Sequence, residues 1–395
     1  MATGLKEDLL RGVDSKTEQA LIKIRRDLHA EPELAFQENA TAGYITEYLD
    51  KLPVDNLRDG VGRTGVVCEV KGKLPGRTVL VRADMDGLPL TETSDLPFRS
   101  RRDGVMHACG HDVHMAIALA LAERLSVNRD RLPGTVRFAF QPAEEGAGGA
   151  KVMIEEGVVE GIDRVVGLHV WANLPVGQVS VRPDAMMASA DFFTLRVRGK
   201  GGHGALPETT VDAVVIAAQI ATALQTLASR ETSPRAPVVV TLGSIHGGSA
   251  HNIIAGEVVI QGTLRTFDAE LRDRLLDRIA EMSAGIAEAL RGSCEFHLDS
   301  ATPPTVNDPA MARIVAEAAV SVVGEQNVVP HEPLMVGEDF AYFLLQRPGC
   351  FFLLGGAPEG PPVGHHTPEF RIDERCLVVG LRVMTAAVLR LLEGA

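Results

Sequence analysis

The sequence is poor in aromatics, in basic residues, in pairable cysteines and in long apolar runs. Aromatic residues make up 4% of 395, with one Trp and three Tyr. Ala, Val, Leu and Ile must therefore fill the core that an apolar content of 45% allows. Lys and Arg number 39 against 52 Asp and Glu, a formal net charge of -13. That balance repels phosphates, so neither nucleic acid nor an anionic membrane is an expected partner. A small anionic substrate stays open, because local charge can oppose the total. No apolar run is read as long enough to span a bilayer, and MATGLKEDLLRGVDSKTEQ has no apolar core for a signal peptide. Cys68, Cys109, Cys294, Cys350 and Cys376 form an odd, scattered set, a poor disulfide framework. A reduced cytoplasmic protein is the expectation.

What is present is an alternation of strands and helices. Helical spacing over 15–29 and 37–52 precedes strands at TGVVCEV and TVLVRAD. A helix from about Asp112 to Leu125, the strand TVRFAFQ, a short helix near 148–156 and the strand RVVGLHV follow. This rhythm predicts an α/β fold, a mostly parallel sheet with helices on both faces. After Pro183 the order becomes β-α-β-β-α-β, a ferredoxin-like α+β domain inserted at 184–299. The first pattern then resumes with a helix, the strand GCFFLLGG and an amphipathic helix at 373–393. The domains are thus 1–183 with 300–395, and 184–299.

Ligands bind beyond the carboxyl ends of strands in such sheets. Three predicted strands run into chemistry-bearing residues: Asp84 and Asp86, Glu144 and Glu145, and His169. MHACGHDVHMA adds Cys109 and His111 at a spacing that lets a turn entering a helix offer thiolate and imidazole to one transition metal. Adjacent Glu144 and Glu145 point different ways on a turn, so one can ligate while the other takes a proton. A solvated acidic turn is the plainer reading of a Glu-Glu pair, but this one follows a buried-looking strand. GHHTPEF supplies His365 and His366 from the far end of the chain. GKGGHG matches a dinucleotide fingerprint formally, but a long helix follows where the second strand should be. Neither G-x-S-x-G nor H-E-x-x-H occurs.

RRDLHAEPELAFQE, RADMDGLPL, MHACGHDVHMA, QPAEEGAGGAKVMIEEG, GLHVW, GKGGHGALP, HNIIAGE, GEDFAYF and HHTPEF occur in that order. Together they resemble the metal-dependent amidohydrolases that include hippurate hydrolase, bacterial aminoacylases (N-acyl-L-amino acid amidohydrolases) and plant auxin–amino acid conjugate hydrolases. The resemblance runs from about Arg25 to Phe370. It implies a di-metal exopeptidase-like catalytic domain and makes the inserted domain a lid and dimerisation module. It also implies two divalent ions per subunit, zinc first, with manganese, cobalt or nickel as substitutes. Cys109 would bridge them, and His111, Glu145, His169 and His366 would complete the ligands.

Glu144 would be the general base, acting on a metal-activated water, and Asp86 a support for the site. His203 would polarise the scissile carbonyl, from the other subunit of a homodimer or homotetramer. Asn252 and Arg265 would contact substrate, Arg265 through a carboxylate. The RRDLHAEPEL stretch reads as structural. The implied reaction is hydrolysis of an N-acyl-L-amino acid to a carboxylic acid and an amino acid. Many members of the wider group carry Asp where Cys109 stands, which shifts the expectation away from carboxypeptidases. A dipeptidase or desuccinylase with the same site, or a catalytically silent metal-binding protein, are the alternatives.

Overall fold

The computed structural model describes residues 8–9, 13–146, 148–360 and 363–393. The chain forms two compact units, one of Met1–Asp184, Val306–Glu332 and Asp339–Ala395, the other of Ala185–Thr305 and Pro333–Glu338.

The first unit is built on a seven-stranded sheet. Its strands are β1 (Asp55–Val61), β2 (Gly65–Lys71), β3 (Leu74–Asp84), β4 (Pro133–Gln141), β5 (Arg164–Pro175), β6 (Val179–Ser180) and β7 (Gly349–Ala357). The spatial order is β1-β2-β4-β3-β5-β7-β6. The inner strands β4, β3, β5 and β7 run parallel. β1 and β2 at one edge and β6 at the other are antiparallel. Runs such as GVVCEV in β2 and GCFFLLGG in β7 are buried throughout, as in a sheet covered on both faces. Helices α1 (Ser15–His29), α2 (Asn39–Asp50), α3 (His111–Ser126), α4 (Gly149–Glu155), α5 (Pro309–Val323), α6 (Ala341–Gln346) and α7 (Arg375–Leu392) supply the cover.

Local chemistry sets the helix ends. Asp14 accepts the Thr17 N–H at the start of α1. Asp308 caps α5 at the Ala310 and Met311 N–H groups, with Pro309 in the first turn. α1, α2, α3, α5 and α7 share one apolar core with the sheet, and nearly all of α3 is buried.

Two features of the first unit depart from the sequence expectations. β1, whose DNLRDGV is mostly exposed, pairs at the sheet edge where no apolar alternation announces it. β5 does not stop at His169 but continues to Pro175.

The second unit has strands at Ala190–Arg198, Val238–Gly247, Glu257–Thr266 and Ser293–Thr302, with helices at Ala213–Arg230 and Ala269–Ala289. All neighbouring strands of this four-stranded sheet are antiparallel. Helix Ala213–Arg230 has a mean hydropathy of 1.2 and is long and apolar enough to cross a membrane. That corrects the expectation that no such run exists. Its Ile216, Ile220, Leu224 and Leu227 nevertheless join this unit's own core.

Gly110 caps the start of α3, and its φ of 97° lies in the left-handed region. A Cβ there would sit 2.3 Å from Val170 Cγ1 on β5. Gly110→Ala is therefore expected to destabilise the fold by about 1–3 kcal/mol, from the left-handed backbone and the overlap together. Denaturant unfolding of the two proteins measures it.

Candidate metal centre

The carboxyl ends of β3 and β4, the middle of β5, the start of α3 and the segment after β7 bring the predicted residues of the first unit together. Cys109, His111 and His169 are buried and offer donor atoms all within 4.8 Å of one another. Cys109, Glu145 and His366 form a second such group, and His111, Glu144 and Glu145 a third. Cys109 Sγ is common to the first two, 3.3 Å from His169 Nε2 and 3.4 Å from His366 Nε2.

Asp86, just past β3, sets the geometry of the paired glutamates. Its Oδ1 accepts the Glu144 N–H at 3.1 Å and its Oδ2 the Glu145 N–H at 3.0 Å. The turn before them needs φ of 55° at Ala143, and the buried Glu38 accepts the Ala143 N–H at 2.8 Å. Glu38 also takes the Thr64 hydroxyl. The Asp339 N–H approaches Glu144 Oε1 at 3.4 Å. Behind the turn, the buried Arg82 guanidinium binds Gln141 Oε1, Asp84 Oδ2 and Asp339 Oδ1.

His365 and His366 separate cleanly. His365 Nε2 accepts the Ala172 N–H at 3.0 Å, and its ring lies 4.7 Å from that of Trp171. His366, at a φ of 60°, instead brings Nε2 to 3.2 Å from Glu145 Oε1. Residues near the chain start also converge here. Arg25 Nε donates to Asp112 Oδ2 at 2.7 Å, and His29 Nδ1 lies 2.9 Å from the same oxygen. The RRDLH stretch thus grips the first turn of α3, beside His111. His107 is buried, and neither ring nitrogen has a hydrogen bond among the described residues.

The charges follow from burial. Burial pushes the Cys109 thiol well above its ordinary range, and Glu145, Glu144 and Asp84 add to it. Burial alone would lower His111, but Asp84, Asp86 and Glu145 raise it to about 10. Burial, with His114 and His365, holds His169 well below its usual value. Burial alone would raise Asp84, but Arg82, His111 and His114 hold it well below the carboxylate range.

His203, Asn252 and Arg265 belong to the second unit. His203 is exposed and pairs with Ile253 in a two-stranded ribbon, and the Asn252 carbonyl accepts the Gly204 N–H at 2.8 Å. Arg265 donates to the Met335 carbonyl at 3.3 Å. Sequence reasoning assigned no role to Glu38, Gln141 or Asp339. Their signal was a charged or amide side chain inside an otherwise apolar or helical pattern.

Asp86→Ala would strand two backbone N–H groups. It is expected to cost about 1–3 kcal/mol for each one left buried without a partner. Asp86→Asn, which keeps an acceptor oxygen, should cost less. Chemical denaturation of both variants checks the order.

The model of peptidase family M20/M25/M40 matches residues 80–390. The N-acyl-L-amino acid amidohydrolase of Geobacillus stearothermophilus is 44% identical over 76% of this chain and 81% of its own. The thermostable carboxypeptidase 2 of Saccharolobus solfataricus is 40% identical over 92% of this chain and 93% of its own. Among solved structures, the Bacillus subtilis YXEP protein, described as a dinuclear metal binding peptidase from the M20 family, superposes with a TM-score of 0.84. It is 34% identical, covering 96% of this chain and 99% of that one.

Proposed function

The chain belongs to peptidase family M20/M25/M40, an amide-hydrolysing enzyme, and from that membership we propose that it cleaves N-acyl-L-amino acids. The observation that carries the reading is the shared Cys109 thiol, flanked by His169 and His366, with Glu144 and Glu145 held on one turn beside it.

The donor set fits two divalent cations. His111 Nε2 is buried with no hydrogen bond among the described residues. It faces Glu145 Oε1 at 3.9 Å, and such an orphaned buried nitrogen points to a ligand. Cys109, His111, Glu145, His169 and His366 would hold the ions, with Cys109 common to both. Zinc is the first choice, because thiolate and imidazole suit it, and manganese, cobalt or nickel can replace it. Such ions supply Lewis acidity that acidifies water and polarises an amide carbonyl.

Glu144 takes a proton from the attacking water and returns it to the leaving amine as the C–N bond breaks. Asp86 keeps that carboxylate on its turn. In the second unit we assign His203 to the scissile carbonyl and Asn252 and Arg265 to the substrate, Arg265 at its carboxylate. These three rest on the motif resemblance. In a homodimer His203 would serve the partner's site. Co-refolded hybrids of His203→Ala and Glu144→Ala chains should then recover activity that both parent homodimers lack. Confirmed hybrids without recovery would place His203 in its own chain's site or outside catalysis.

The adjacent glutamates provide the central test. Glu144→Ala should retain its metal and lose turnover by about a hundredfold or more. Glu145→Ala should lose metal as well. Elemental analysis and an assay on acetylated and benzoylated amino acids decide it, and near-normal turnover by Glu144→Ala would sink the mechanism. A carboxypeptidase reading is favoured by the Saccharolobus relative. Faster cleavage of blocked dipeptides than of N-acyl amino acids would select it.

A further inference from the structure

β3 and β5 run side by side only as far as the pair Arg82 and Gly167. β3 ends at Asp84, still paired to β4 at Gln141, while β5 continues alone on that side. The parting of two parallel strands leaves backbone groups without ladder partners. Val170 N–H is one, and its residue is fully buried.

His114 fills the split. It lies one turn after His111 on α3. Its Nε2 accepts the Val170 N–H at 2.9 Å, and its Nδ1 is 2.6 Å from Asp84 Oδ1. A backbone N–H can only donate, so Nε2 carries the lone pair and Nδ1 the proton, which is given to Asp84. Both nitrogens are thereby spent. Although Asp84, His111 and His114 lie close enough to hold an ion, His114 has no lone pair left to offer one.

The other end of the same residue touches the metal centre. The Val170 carbonyl lies 2.7 Å from His169 Nδ1, so that nitrogen carries the proton and Nε2 faces Cys109. Asp84, His114, Val170 and His169 thus form one hydrogen-bonded line. Arg82 anchors its far end at Asp84 Oδ2, 2.6 Å away.

We propose that His114 is a positioning residue: by capping the Val170 N–H where β3 and β5 part, it fixes the carbonyl that aims His169 at its metal ion. The inference rests on the metal reading above. Groups that orient a ligating histidine typically change metal affinity by about 10–100-fold when lost.

Two substitutions separate the arms of the imidazole. Asn places an amide nitrogen near the Nδ1 position and keeps the Asp84 bond alone. Gln places an amide oxygen near the Nε2 position and can keep the Val170 bond. The zinc-loaded full-length proteins are titrated with EDTA, and zinc per chain is measured by elemental analysis. Emission of Trp171 gives a second readout, since it is the one tryptophan of the sequence and its ring lies 5.8 Å from that of His169. His114→Asn should release its first zinc at about tenfold less chelator than wild type or lower, with a change in Trp171 emission at the same step. His114→Gln should track wild type within about threefold. Asn behaving as wild type, or Gln releasing zinc as readily as Asn, overturns the proposal. Should far-UV circular dichroism show His114→Asn unfolded, the Gln variant decides alone by the same threefold and tenfold marks. A wild-type chain that holds no divalent metal overturns the metal reading itself, and this one with it.

Discussion

The Asp86 carboxylate, with one oxygen on the Glu144 N–H and the other on the Glu145 N–H, is the contact on which the rest of the centre depends. Two neighbouring carboxylates repel, and a turn that presents both into a buried pocket does not hold itself. Asp86 ties that turn to the end of β3, and its backbone carbonyl also takes His111 Nδ1 at 2.9 Å. One residue therefore orients the pair and the imidazole opposite it. Because β3 is a central strand of the sheet, the orientation is inherited from the buried middle of the first unit.

Placement there carries an electrostatic cost. Asp84, Asp86, Asp112, Glu38 and Asp339 are all buried, and burying carboxylates without partners would be prohibitive. Two buried arginines contact three of the five. Arg82 spans Asp84 and Asp339 across β3 and the segment before α6. Arg25 reaches from α1 to Asp112 and Glu374. Removing either cation would leave an uncompensated carboxylate a few ångströms from a ligand-bearing turn. Such pairs add little net stability over an apolar core; here they fix where the chain's polar atoms stand.

The inner strands were legible because burial on both faces leaves continuous Val, Ile, Leu and Phe runs, as in TVLVRAD and GCFFLLGG. The convergence of Glu144, Glu145 and His169 was legible because parallel strands must end on the same side, while Cys109 and His111 were read from their spacing on a turn entering a helix and His366 from the motif resemblance. β1 was not, since an exposed edge strand needs no apolar face. The course of β5 past His169 was not, since a chemistry-bearing residue was taken as the strand's end. Glu38 on Ala143 and Arg82 on Asp339 join residues 105 and 257 positions apart. No local pattern announces such pairs, and a buried Glu or Arg in a periodic segment looks like an ordinary polar position until the partner is seen.

The histidines show how backbone rather than residue type sets which ring nitrogen keeps a lone pair. A carbonyl facing a ring nitrogen forces a proton onto it and frees the other nitrogen; an amide N–H facing it consumes the lone pair. Asp86 O does the first for His111, and Val170 O for His169, so each ring, when neutral, turns its lone pair toward the pocket. Val170 N–H does the second for His114, and Ala172 N–H for His365. Both amides lie on the stretch of β5 that has lost β3 as a neighbour. The same divergence of strands that opens room beside Cys109 thus also supplies the donors that occupy a ring nitrogen of each of these two histidines.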